Sequence, residues 1–274
     1  MRKRILSAIA VIAVVGVVTI LSMKWPVSID FFVAVICAVS VFEFTKAVRT
    51  INLYQISILS IAFAFLFPVF LSFGLGFILC YVYTALMLAM IIFFHTKISF
   101  KDFAYTYSMI TIITLSLSML VMIRNTEPSH STLYFLMSLG IPWLADAAAY
   151  FTGVFFGKHK LCPKISPKKT IEGAVGGIIL CTSLACLLVY LFGKILYHDI
   201  SVNFINIAII SCCGSLLSIL GDLSFSVIKR SYSVKDYGDV IPGHGGILDR
   251  FDSVIPFVPF FCFMISNLPV VNLQ

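Results

Sequence analysis

Charge is what this sequence has least of: 11% of its 274 residues are charged, against 60% that are hydrophobic. A water-facing domain carries about 25% charged residues, so a soluble enzyme, a disordered chain and a disulfide-stapled secreted module are excluded. A large extramembrane domain is excluded too, because nine spans of about 20 residues would take roughly 180 positions and leave fewer than about 100 for loops. Cysteine chemistry is scarce as well. Cys37, Cys80, Cys162, Cys181, Cys186, Cys212, Cys213 and Cys262 form no Cys-x-x-Cys pair. All but Cys162 lie in apolar runs, where the thiol acts as a small hydrophobe. No internal repeat stands out, which argues against the paired halves of many transporters.

Apolar run length is what the chain has in plenty. A membrane-crossing helix uses about 20 apolar residues. The runs predict spans at 5–22, 27–45, 54–72, 76–94, 104–123, 132–156, 171–193, 203–228 and 253–270. The fold class expected is therefore all-α, a polytopic integral membrane protein with about nine transmembrane helices. Phe73-Gly74-Leu75-Gly76 offers the turn that divides the long run from Ile51 to Phe94. The first span follows Met1-Arg2-Lys3-Arg4 without a small-x-small cleavage site and reads as an anchor. Two regions are expected: 1–130, five spans acting as scaffold or dimer interface, and 131–274, four spans with two cytoplasmic loops carrying the chemistry.

The formal net charge is +7. An alternating path with the N-terminus in the cytoplasm leaves only Lys24, Arg124 and Lys194 of the 19 basic residues outside. This distribution follows the positive-inside rule. The excess of positive charge is assigned to anionic headgroups, so membrane lipids and not nucleic acid are the expected partners.

Asp30 and Glu43 are the only acids before Asp102. An ionisable group within a span is costly and a functional candidate by default. Here Asp30 lies near a span end and Glu43 lies one turn from Lys46, so both are read as structural.

Polar residues collect in the second half. The connections 157–170 and 229–252 hold nine of the 19 basic residues and are bordered by Asp146, Glu172, Asp222, Asp249 and Asp252. Asp146, Tyr150 and Gly153 share a helix face at i, i+4 and i+7. Ser166 before Pro167 predicts a helix N-cap with Pro at the first helical position. Lys168 and Lys169 flank that N-terminus, a natural place for phosphate, unless they only reach lipid headgroups. Asp222, Ser226 and Arg230 recur at i, i+4 and i+8, with Lys229 beside them. Pro242-Gly243-His244-Gly245-Gly246 bars regular helix and lets backbone amides approach a ligand. Asp222 and Asp249, 27 residues apart, could converge from two helices on a hard cation such as Mg2+, which takes one or two carboxylates plus water and phosphate oxygens. Ion pairs such as Asp222 with Arg230 or Asp249 with Lys235 are the plainer reading, but they leave the glycine cluster and His244 unexplained.

At these residues the sequence resembles the phosphatidate cytidylyltransferases, also called CDP-diacylglycerol synthases. Ser226-Val227-Ile228-Lys229-Arg230, Lys235-Asp236-Tyr237-Gly238 and His244-Gly245-Gly246-Ile247-Leu248-Asp249-Arg250-Phe251-Asp252 meet every position of that family's signature. The resemblance extends to Gly221-Asp222-Leu223 and to Ser166 through Gly173, and covers about residues 140–255. Phe225 stands where members often carry an acid, which sets aside an acid–base role at that position. Family members also often carry a hydroxyl or bulkier residue among the alanines that follow Asp146. The resemblance implies a membrane enzyme that joins CTP and phosphatidic acid into CDP-diacylglycerol and pyrophosphate at the cytoplasmic face of the cell membrane. It implies Asp222 and Asp249 as carboxylates for Mg2+, with a second, monovalent cation such as K+ nearby. Lys168, Lys169, Lys229, Arg230 and Arg250 become phosphate clamps. Ser166, Ser226, Lys235, Asp236, His244, Gly245, Gly246, Asp252, Asp146 and Glu172 become binding candidates. The glycine-rich seventh span and the bland first spans leave room for a homodimer. The rival readings are a CTP-dependent polyprenol kinase and a transporter. CDP-alcohol phosphotransferases are set aside because their Asp-Gly-x-x-Ala-Arg motif is absent.

Overall fold

A computed structural model describes residues 2–48, 54–126, 130–197, 200–241 and 245–273. In chain order the helices are α1 (Arg2–Lys24), α2 (Val27–Ala47), α3 (Tyr54–Ser72), α4 (Gly76–Phe94), α5 (Phe100–Thr126), α6 (Ser131–Phe156), α7 (Ile171–Tyr197), α8 (Phe204–Ser231), α9 (Leu248–Phe251) and α10 (Val254–Asn267). Four short strands are added: β1 (Lys160–Cys162), β2 (Ser166–Thr170), β3 (Ile200–Val202) and β4 (Val271–Leu273). The protein is an all-α polytopic membrane protein. Among the described residues, seven helices, α2 to α8, are long and apolar enough to cross a membrane. The apolar stretches Ile9–Lys24 of α1 and Val254–Asn267 are shorter. At 1.5 Å per residue the 14 residues of α10 extend about 21 Å, less than the ~30 Å hydrocarbon core, so the ninth expected span is not of full length. It stops at Asn267 because Pro269 cannot continue a helix and the chain then pairs as β4 with β3.

The chain forms two compact units. The first holds α1 to α5 and the segment Tyr232–Phe251, which the sequence division at 130 had grouped with the later spans. Its helices end where the sequence signals ends. Gly74 adopts φ +74°, and Leu75 N donates to Phe70 O at 2.9 Å, so a left-handed glycine closes α3. Ser99 Oγ accepts from Asp102 N at 3.1 Å and donates to Asp102 Oδ2 at 2.7 Å, capping α5. The core stacks Phe63 on Tyr83 at 4.0 Å. The Tyr83 hydroxyl is satisfied by Ser60 at 3.1 Å. On α4, Phe77 and Phe93 turn fully outward, as a lipid-facing helix requires.

Asp30 is structural, as its place near a span end suggested. Arg124 Nη1 reaches both of its oxygens at 2.8 and 2.9 Å, and Ser72 Oγ donates at 2.7 Å. Asp30 is buried, and removing one partner of a buried pair costs roughly 3–5 kcal/mol. Asp30→Ala is therefore expected to lower the melting temperature of the detergent-solubilised protein strongly; a variant that melts like the wild type would show that this pair does not hold α2 to α5. Glu43 departs from its expected local role. Its carboxylate accepts from Ile247 N and Leu248 N, more than 200 residues along the chain.

The second unit holds α6 to α8, α10 and the strands. Here α7 lies close on α6. A Cβ on Gly177 would sit 2.7 Å from Ala149 Cβ, and one on Gly176 2.8 Å from Thr152 Cβ. Thr152 Oγ1 also donates to Gly173 O at 3.0 Å. The glycine stripe of the seventh span is thus spent inside this unit, not left open for a second copy. Ser218 Oγ on α8 donates to the carbonyl of Pro142 within α6 at 3.4 Å.

Ser166 does not cap a helix. Residues 166–170 are extended as β2, paired antiparallel to β1 with Lys160 opposite Thr170 and Cys162 opposite Ser166. Pro167 disfavours helical backbone at the residue before it, and the hairpin uses that extension. The cap of α7 is Thr170, whose Oγ1 accepts from Gly173 N at 3.1 Å.

Candidate functional site

In the second unit, α7 and α8 carry the first group of polar residues. Asp222 sits on α8 one turn before Ser226, whose Oγ donates to Asp222 Oδ1 at 3.3 Å. Lys169 on β2 forms an ion pair with Asp222 Oδ2, both side chains about a quarter exposed. Lys169 thus meets this carboxylate from β2, and Arg230 is exposed at the end of α8. Gly221 is obligatory for the approach of α10: a Cβ there would fall 2.6 Å from Asp252 O and 2.5 Å from Pro256 Cγ. Lys229 is buried and lies 3.6 Å from Asp252 Oδ2, while Asp252 Oδ1 takes Ser253 N at 2.8 Å. Lys169 on β2 thus pairs with Asp222 on α8, and Lys229 on α8 with Asp252, the residue after α9.

Glu172, in the first turn of α7, is drawn away from this group. Its carboxylate accepts from Lys158 N at 3.0 Å and from His159 N, and pairs with His159 Nδ1. It pins the start of the β1–β2 hairpin, on which Lys168 and Lys169 lie. Lys168 is exposed and Ser166 half-buried. Asp146 is half-buried within α6.

In the first unit the signature loop folds around carboxylates. Asp249 Oδ2 accepts from Tyr237 N at 2.8 Å and Gly246 N at 2.9 Å. Gly245 has φ +87°, and a Cβ on it would be 3.0 Å from Asp249 Oδ2 and 3.3 Å from Asp236 Cβ, so both space and backbone demand glycine. The bridge between Ile241 and Gly245 closes the turn. His244, with Pro242 and Gly243, lies outside the described residues. Lys235 and Asp236 are exposed, and Arg250 is half-buried beside Asp249 in the chain.

Sequence reading missed Glu43 as a partner of this loop. Its signal was present, an acid inside an apolar span, but a nearby Lys46 absorbed it.

The donors on offer are oxygens. Among the described residues no three His, Cys, Asp or Glu side chains gather into a metal cage. Mg2+ needs only one or two carboxylates and completes its shell with water and phosphate oxygens, so the carboxylates of Asp222 in the second unit and of Asp249 in the first are each donors of the kind that ion takes.

The model of the cytidylyltransferase family matches residues 2–268. The chain is 42% identical over 137 residues to the phosphatidate cytidylyltransferase of Haemophilus influenzae, covering 50% of this chain and 47% of that one. It is 40% identical over 144 residues to the enzyme of the same name from Bacillus subtilis, covering 53% and 51%. With that of Staphylococcus saprophyticus it shares 37% over 172 residues, covering 63% and 62%. The matched stretch spans about half the length of the first two relatives. Because the family match runs through both units and through the loop that Asp249 organises, the chain belongs to the cytidylyltransferase family.

Proposed function

We propose that the protein transfers the cytidylyl group of CTP to phosphatidic acid, giving CDP-diacylglycerol and pyrophosphate. The observation that carries this reading is the pairing of Lys169 with Asp222 beside Ser226, on the same chain as an unbroken signature from Ser226 to Asp252. A phosphatidate oxygen already holds a nucleophilic lone pair, so no protein nucleophile is required. That oxygen bonds to the α-phosphorus of CTP, the bond from the α-phosphorus to the bridging oxygen breaks, and pyrophosphate leaves with the electron pair. Mg2+, when bound, would supply charge neutralisation to the triphosphate, with a monovalent cation such as K+ as a second proposed ion. Asp222 and Asp249 are the proposed ligands for it.

The chain's own cations do the rest. Lys168, Lys169, Lys229, Arg230 and Arg250 hold the phosphates and stabilise charge on the leaving pyrophosphate. Lys235, Asp236, His244, Gly245, Gly246, Ser166, Asp146 and Asp252 line the binding of nucleotide or headgroup, and Glu172 supports the hairpin that presents Lys168 and Lys169. We assign the active face and the N-terminus to the cytoplasmic side of the cell's inner membrane; the positive-inside distribution of the basic residues supports this reading. Membrane lipid covers the exposed apolar faces, and a homodimer would use the first spans.

The test is radiolabelled CTP with phosphatidic acid and Mg2+ in liposomes, with the lipid product identified. CDP-diacylglycerol with pyrophosphate release is expected, and EDTA is expected to stop it. Release of CDP with a phosphorylated lipid alcohol would instead assign the chain as a lipid kinase.

A further inference from the structure

We propose that Glu43, in the second helix, is a positioning residue for the signature loop: it holds the segment that orients Asp249. This deepens the cytidylyl-transfer reading and rests on it for its catalytic consequence.

Three successive amides at the head of α9 end on carboxylates. Gly246 N goes to Asp249 Oδ2, Ile247 N to Glu43 Oε1 at 3.0 Å, and Leu248 N to Glu43 Oε2 at 2.8 Å. The loop is moulded to the Glu43 carboxyl group. A Cβ on Gly238 would overlap its Oε1, and one on Gly246 would overlap its Oε2. Those two glycines are explained by Glu43 and not by turn geometry. The next residue continues the grip: the Phe44 ring lies 6.0 Å from that of Tyr105 and 6.3 Å from that of Tyr237, and Tyr105 stacks on Tyr232 at 5.5 Å.

Glu43 is 1% exposed in an apolar helix, where an ionised group is costly unless its oxygens are paired. Two backbone donors from the loop meet that cost, and in return a charged acceptor holds the loop more firmly than a neutral one. Tyr237 N and Gly246 N, which set the direction of the Asp249 carboxylate, belong to the same segment. Loosening residues 246–248 therefore lets Asp249 turn away from a productive direction without removing it.

The experiment is hydrogen exchange on the intact protein in nanodiscs, comparing wild type with Glu43→Gln and Glu43→Asp. Gln conserves size but turns an acceptor into an amide group facing a backbone N–H. Amides in 237–251 are expected to exchange about tenfold to a hundredfold faster, the loss of a charged hydrogen bond, with α7 and α8 unchanged and with Asp intermediate. Turnover is expected to fall in parallel, with KM for phosphatidic acid within about twofold, because the lipid site itself is intact. Unchanged exchange across 237–251 in Glu43→Gln overturns the proposal. If Glu43→Gln exchanges quickly throughout the chain, Gly238→Ala decides, since it displaces the carboxylate from the loop side: a local loss of protection supports the proposal and unchanged protection overturns it. Exchange is read without catalysis, so a wild type that makes no CDP-diacylglycerol would sink the proposed function while leaving this result standing.

Discussion

Asp249→Asn is expected to lower the rate of CDP-diacylglycerol formation by about 10²–10³-fold or more, on the scale seen when a group stabilising transition-state charge is removed, while the protein inserts and melts as the wild type does. The separation follows from the geometry. Asn keeps the volume and a carbonyl oxygen, which continues to accept from Tyr237 N and Gly246 N, so the loop persists. What is lost is the negative charge that a hard cation needs. Asp222→Asn is expected to match it in rate, and in addition to leave the Lys169 ammonium without its carboxylate. If both residues serve as the proposed ligands, raising Mg2+ should recover part of the activity in either variant. Near-wild-type turnover by radiolabelled CTP incorporation in Asp249→Asn would take that residue out of the metal site and leave it a purely structural acceptor.

The second large effect concerns stability. Gly177→Val places a Cβ 2.7 Å from Ala149 Cβ and 2.9 Å from Ala149 Cα and N. Backbone is among the obstructing atoms, so no rotamer relieves the clash, and α6 and α7 must part. Overpacking costs about 1–3 kcal/mol when the surroundings relax, and the rigid partner here puts the loss at the upper end. The expected result is a clear drop in melting temperature and an aggregated fraction on gel filtration. Gly16→Ala is the matched control, because nothing lies within 4 Å of the added carbon and Ala is the better helix former; it should melt at or slightly above wild type. A Gly177→Val protein as stable as that control would mean that the close approach of these helices is not maintained in the bilayer. Moving α7 also moves Glu172 and Thr170, so turnover should fall with stability.

Much of the fold was legible because one force dominates it. Long apolar runs have one stable solution in lipid, helices with their backbone bonds satisfied internally, so the element boundaries follow the runs closely. Gly74 was readable as a turn because only local backbone freedom was involved. Ser166 was misread for a physical reason: a Ser-Pro pair suits both a helix start and an extended strand, and the choice was made by pairing with β1, which local signals do not contain. The site was half legible. Residue types at the end of α8 and in the glycine loop carry the resemblance on which the proposed phosphate-handling chemistry rests. Which carboxylate meets which cation does not follow from spacing: Lys169 lies 53 positions from Asp222, farther than Arg230, yet forms the pair.

By itself, then, the amino-acid sequence determined that this protein lies in a membrane, that its helices fall where the apolar runs fall, and that its charged residues collect in two polar connections of a cytidylyltransferase-family chain. These depend on composition and on short-range order, which are written locally. Only the tertiary structure decided that Thr170 caps α7, that Glu172 holds the hairpin and that Glu43 holds the signature loop. Thr170 reaches from β2 into the first turn of α7, the part-exposed Glu172 meets His159 thirteen positions back, and the buried Glu43 meets donors more than 200 positions away. In an apolar medium a polar group must be paired, but the sequence names the need and not the partner.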